Sequence, residues 1–198
     1  MKKNFFIFVF LFSLLYPQVS FSYNSDPKQF ITEIVDEAKQ ILSGSNSKEF
    51  KTKNLSKMAL KVVDIKGIAY YSIGKYRKQF TDDELKKYLE LFEKYFLKSF
   101  TSRLSDYSDP KIDVLSAEVK NDKYTIVRSK LVGTDKKPEV KIDWRVYTKN
   151  PEQPLIRDLI IEGLSLARTQ KEEFASVIES NDGDIKKLFT TLIEFVEN

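Results

Sequence analysis

From Phe30 to Leu42 the apolar residues recur at helical spacing, with Phe30, Ile31, Ile34, Val35, Ala38, Ile41 and Leu42 on one face. Ser25 and Asp26 precede Pro27, a helix-start signal with proline in the first turn, and Gly44 ends the segment. A second, less periodic helix is predicted over about 47–62. Asp64 can cap a short helix carrying Ile65, Ile68, Ala69 and Ile73 and ending near Gly74. Thr81 and Glu84 form a capping box, and behind it Leu85, Tyr88, Leu89, Phe92, Tyr95 and Phe96 make a wide aromatic stripe that Phe100 continues.

After this the period changes to two. Residues 112–119 and 123–132 read as strands around a turn at Lys120-Asn121-Asp122. The clearest strand is 139–147, where Val140, Ile142, Trp144 and Val146 point one way and Glu139, Lys141, Asp143, Arg145 and Tyr147 the other. A fourth strand, 155–162, follows the turn Asn150-Pro151-Glu152, and short connections imply an antiparallel meander. Helices over about 165–179 and 184–196 close the chain. The pattern predicts an α+β fold: helices packed on one face of a twisted antiparallel sheet of about four strands. Apolar positions occupy more helical faces than such a sheet needs; core packing accounts for most of them, and an interior enclosing an apolar ligand would use the surplus.

Composition narrows the chemistry. The chain has no cysteine and no histidine, which removes disulfides, thiol nucleophiles, histidine general bases and histidine metal sites. Lys2 and Lys3 followed by an apolar run from Phe5 to Leu15, stopping at Pro17, read as a secretory signal peptide over residues 1–22, with Ser20 and Ser22 at the cleavage positions. The run is too short for a membrane span, which needs about 18 apolar residues or more. Removing it leaves 176 residues, enough for a single domain over 23–198, and lowers the net charge from +4 to +2. A nearly neutral chain with interspersed signs carries no electrostatic footprint for nucleic acid.

The segments "DIKGIAYYSIGKY" (64–76), "YLELFEKYFLKSFTSRL" (88–104), "VKIDWRV" (140–146), "IRDLIIEGLSL" (156–166) and "FASVI" (174–178) occur in the order found in the MlaC family, and the chain resembles that family over nearly its whole length after residue 22. The family is also called the toluene-tolerance auxiliary family. The resemblance implies an NTF2-like fold that encloses the acyl tails of a phospholipid. It further implies a periplasmic monomer shuttling lipid between an outer-membrane lipoprotein–porin complex and an inner-membrane ABC transporter with an MCE-domain protein, so maintaining outer-membrane lipid asymmetry. Phospholipid is then the transported ligand, with no cofactor and no metal. Phe100 stands where a tyrosine is usual, and Gln170-Lys171 where many members have Tyr-Arg.

The expected tail lining is Ile68, Ile73, Tyr88, Phe92, Phe96, Ile142, Trp144, Val146, Leu164, Leu166 and Phe174. Asp158, Glu162, Gly163 and Ser165 are read as a structural corner. Gly163 permits a sharp turn, Ser165 caps the next helix, and Glu162 accepts from unpaired amides at that helix start or pairs with a neighbouring base. Asp143 and Asp158 are expected to pair with Arg145, Arg157 or Lys141. No constellation of convergent polar groups suggests catalysis, so the chain is not expected to be an enzyme. The rival to a carrier is a secreted NTF2-like adaptor domain with a collapsed interior and no bound lipid.

Overall fold

Side-chain caps mark where the helices begin. In the computed structural model, which describes residues 23–105, 109–134 and 138–198, α1 (Pro27–Leu42) starts behind Asp26, whose carboxylate accepts the Gln29 amide at 2.9 Å. Ser47 caps α2 (Lys48–Val62) in the same way, and Asp64 caps α3 (Ile65–Ile73) through the Gly67 amide at 2.8 Å. A short 3-10 turn, Gly74–Gln79, leads to α4 (Asp82–Leu104). There the capping box is closed from both sides: Glu84 N–H donates to Thr81 Oγ1 at 3.2 Å and Thr81 N–H to Glu84 Oε2 at 2.9 Å. The Thr81 backbone N–H first, and the Thr81 hydroxyl, which also donates to Glu84 Oε2 at 2.9 Å, hold the Glu84 carboxyl below its ordinary pKa.

The second half is a meander of β1 (Ile112–Asn121), β2 (Tyr124–Leu131), β3 (Val140–Tyr147), β4 (Leu155–Ile161) and β5 (Leu164–Ser165), in that spatial order and antiparallel throughout. The sheet thus has five strands rather than about four. The extra one arises because Glu162 and Gly163, at φ +49° and +84°, reverse the chain in two residues. Ile161 then pairs with Leu164 and Ile160 with Ser165 before α5 (Leu166–Glu179) begins. Helix α6 (Ile185–Glu197) follows. The signal-peptide expectation falls on residues 1–22 and lies outside the described residues.

Two apolar clusters form the interior. The helical cluster joins α3, α4, α5 and α6 through residues such as Tyr88, Phe92, Ile178, Leu188 and Leu192. The sheet cluster packs Phe30, Ile31, Ile34 and Leu42 of α1 and Leu55, Met58 and Val62 of α2 onto Val127, Val146 and Ile156. Val63 touches both clusters, and its bridge to Ile156 fixes the α2–α3 junction on β4. Among the described residues no helix is long and apolar enough to cross a membrane.

Candidate functional site

Helix α4 runs through both clusters and carries the aromatic stripe. Tyr88 and Phe92 are fully buried, and the Tyr88 hydroxyl lies 2.9 Å from Ser72 Oγ and donates to Ala69 O at 3.1 Å. Burial pushes the Tyr88 phenol well above its ordinary pKa, so it stays neutral. Ile68, Ile73 and Phe174 join these two rings in the helical cluster, with Phe174 edge-on to Phe92 at 6.1 Å. Phe96 is half-buried against the same cluster. On the sheet, Val146 is buried in the sheet cluster, while Trp144 is half-buried against it and Ile142 half-buried on the same strand. Trp144 Nε1 donates to Ser129 Oγ at 2.8 Å, and Ser129 donates to Ile142 O at 3.0 Å. The indole is therefore held by a polar anchor at its nitrogen, with its hydrocarbon left for packing.

The expected lining thus divides between two clusters rather than forming one surface. Besides Val63, an aromatic step joins them: Phe96 belongs to the helical side, Phe100 to the sheet side, and their rings stack at 5.8 Å and 9°. Leu97 on the helical side and Leu104, Ile112, Val114 and Trp144 on the sheet side are likewise only half-buried while packing against their cluster. Leu164 and Leu166 lie elsewhere. They are 59% and 36% exposed at the β4–β5 corner, because the two-residue turn aims them away from both clusters.

That corner is built by Asp158. Its buried carboxylate accepts from Ser165 Oγ at 2.6 Å and from the Ala167 amide at 2.9 Å, and Arg145 approaches it at 3.4 Å. Ser165 in turn caps α5 by accepting the Arg168 amide at 3.1 Å. Glu162 does not serve the helix start; it accepts the Lys141 amide on the neighbouring strand at 2.5 Å. A carboxylate on the positive-φ turn points across to β3, leaving the helix start to the residue four positions earlier.

Sequence reasoning missed a groove on the opposite sheet face. It has a volume of about 650 Å³ and runs between that face and a wall made by Gly67, Ile68 and Tyr71 of α3 and Ala167 of α5. Of the expected lining only Ile68 reaches it. Its floor holds Ile126 and Ile160 but also Lys120, Arg128, Arg145 and Arg157. Each cation has a carboxylate: Glu118 serves Lys120 and Arg128, Asp158 serves Arg145, and Asp64 holds Arg157 at 2.6 Å. Arg157 also stacks 3.5 Å from the Tyr147 ring centre. These ion pairs share the lining with apolar surface from Ile68, Tyr71, Ile126, Ile160 and Ala167. The groove's one sequence signal was the alternation that put Asp143 and Arg145 opposite Trp144. Among the described residues no group of three or more acidic, cysteine or histidine side chains is placed to hold a metal.

The family model for the MlaC protein matches residues 28–194. The chain belongs to the MlaC family. No curated protein gives a significant match. Among solved structures, the phospholipid-binding protein from Ralstonia solanacearum, determined in complex with a phospholipid, superposes with a TM-score of 0.72 at 20% identity. The match covers 88% of this chain and 97% of that one, and at this identity it shows a shared fold.

Within this MlaC-family fold the residues that depart from the usual pattern have defined surroundings. Phe100, without a hydroxyl, stacks on Phe96 in an apolar setting that asks for none. Gln170 accepts from the Tyr95 hydroxyl at 2.7 Å, and the Lys171 ammonium lies 5.2 Å from the centre of the Tyr71 ring.

Proposed function

We propose that this MlaC-family chain is a phospholipid carrier that encloses acyl tails at the seam between its two apolar clusters. The observation that carries this is that Phe96, Leu97, Phe100, Leu104 and Trp144, large apolar side chains that each pack against one of the two buried clusters, are themselves only half-buried. A packed core buries such groups, and an interior that parts to admit hydrocarbon leaves them half-satisfied. The fold shared with a phospholipid-bound protein supports the same reading. Each buried methylene contributes about 0.8 kcal/mol, so one long tail gains on the order of 10 kcal/mol by staying inside. Binding on that scale comes from hydrocarbon and needs no strong grip on a headgroup.

In this reading the chain works in the periplasm after loss of residues 1–22. It takes lipid from one membrane complex and delivers it to another, between the outer-membrane lipoprotein–porin complex and the inner-membrane MCE-domain protein with its ABC transporter. It carries cargo and performs no chemistry on it. The test is organic extraction of protein purified without detergent, followed by mass spectrometry. About one phospholipid per chain is expected, since tails have no favourable exit into water. Trace lipid, together with failure to take labelled lipid from vesicles, refutes the carrier and leaves the adaptor.

A further inference from the structure

Helix α2 carries the chain's positive charge. It holds Lys48, Lys51, Lys53, Lys57 and Lys61 against Glu49 alone. From Tyr23 onward the net charge is +2, so α2 with its +4 leaves the rest of that chain at −2. The inner side of α2 is ordinary core: Leu55, Met58, Ala59 and Val62 are buried. The outer side is not ordinary. Phe50, Lys53, Lys57, Leu60 and Lys61 follow one another at helical spacing and are all exposed, Phe50 by 47% and Leu60 by 50%. Lys51, Lys53, Lys57 and Lys61 make no ion pair among the described residues.

We propose that this outer face of α2 docks transiently on an anionic phospholipid bilayer. Lysines spread along one helix face, without counter-ions, gain most from a surface of diffuse negative charge. The exposed Phe50 and Leu60 supply the apolar contact that an interfacial helix places at the headgroup boundary. A protein partner fits less well, because protein interfaces favour arginine and deplete lysine, and all five cations here are lysines. Docking by this face also sets the seam close to the bilayer, since the opposite side of α2 packs into the sheet cluster and Val63, at its end, touches both clusters. The proposal goes beyond the carrier reading and does not depend on it.

The experiment is co-sedimentation of the protein, starting at Tyr23, with vesicles of phosphatidylcholine alone or mixed with phosphatidylglycerol. Binding is expected only to the mixed vesicles, and it should vanish near 1 M salt, where screening acts within roughly 3 Å. At roughly fivefold per cation, K53Q/K57Q/K61Q should weaken binding on the order of a hundredfold. Phe50→Ser should weaken it further, while the matched K66Q/R77Q/K78Q on α3 and the following turn should change it little. Circular dichroism checks that each variant is folded, and lipid content is measured separately, so loss of docking is distinguishable from loss of cargo. Absence of binding by the folded protein overturns the proposal and assigns the lysine face to an acidic protein partner. Equal losses in the two triple variants also overturn it, because the attraction would then belong to the whole surface and not to α2.

Discussion

Replacing Asp158 by alanine should be among the most damaging single changes in this chain. The carboxylate is buried and serves three groups: the Ser165 hydroxyl, the Ala167 amide and the Arg145 guanidinium. Alanine leaves the buried Ala167 N–H without an acceptor, which costs about 1–3 kcal/mol. Loss of the charge-assisted bond from Ser165 adds about 1 kcal/mol. Arg145 adds little, because its side chain is 40% exposed and water replaces the carboxylate. The sum is about 3 kcal/mol, or a fall in Tm of roughly 6–12 °C for a domain of this size. Asp158→Asn keeps one oxygen for Ala167 N–H and should lose about half as much. Ser165→Ala removes the α5 cap and should cost about 1 kcal/mol. Urea unfolding of the three variants and of the D158A/S165A double variant measures these terms and the coupling between the two residues. A loss under about 1 kcal/mol for Asp158→Ala would refute the claim that this carboxylate builds the corner.

Two further perturbations follow from the geometry. An added Cβ at Gly67 would sit 2.4 Å from Asp64 Oδ2 and 2.7 Å from its Cγ. Gly67→Ala should therefore push Asp64 off the α3 cap and away from Arg157, with a net loss of about 1–2 kcal/mol despite the better helix propensity of alanine; unchanged stability contradicts this. Glu84, Glu118 and Glu179 are each held below the ordinary carboxylate pKa by hydrogen bonds, from Thr81, from Lys120 and Arg128, and from Tyr76 and Lys75. Their contribution is complete above the ordinary carboxylate pKa and is lost as pH falls through the lowered folded values. Denaturant midpoints should accordingly fall on acidification below that range, and midpoints that rise there would be the wrong sign.

Much of the fold is legible in the sequence because its signals are local. The Thr81–Glu84 box, Asp26 before Pro27, and the alternation around Trp144 each depend on neighbours a few residues away. Helix α2 reads weakly because five lysines dilute its pattern, and it is held by Leu55, Met58 and Val62 packing on the sheet cluster. The corner was half legible. Ser165 as a cap follows from spacing, but choosing Asp158 over Glu162 as the acceptor depends on where a positive-φ turn sends each side chain. That same turn exposes Leu164 and Leu166, which a continuous helical or strand pattern would bury. The groove escaped notice because it is assembled from four strands and two helices, with no one segment carrying its signature.

The account stands most directly on where acyl chains lie, and Trp144 reports it, being the single tryptophan of the chain. Its indole is half-buried against the sheet cluster, on which Phe100 and Leu104 also pack, and is anchored to Ser129. Delipidated protein loaded with phospholipid brominated along its tails should show strong quenching of tryptophan emission relative to the unbrominated lipid, since packed apolar groups lie within about 4–4.5 Å of each other. Unchanged emission, with binding confirmed independently, would contradict the seam and place the tails elsewhere in the fold.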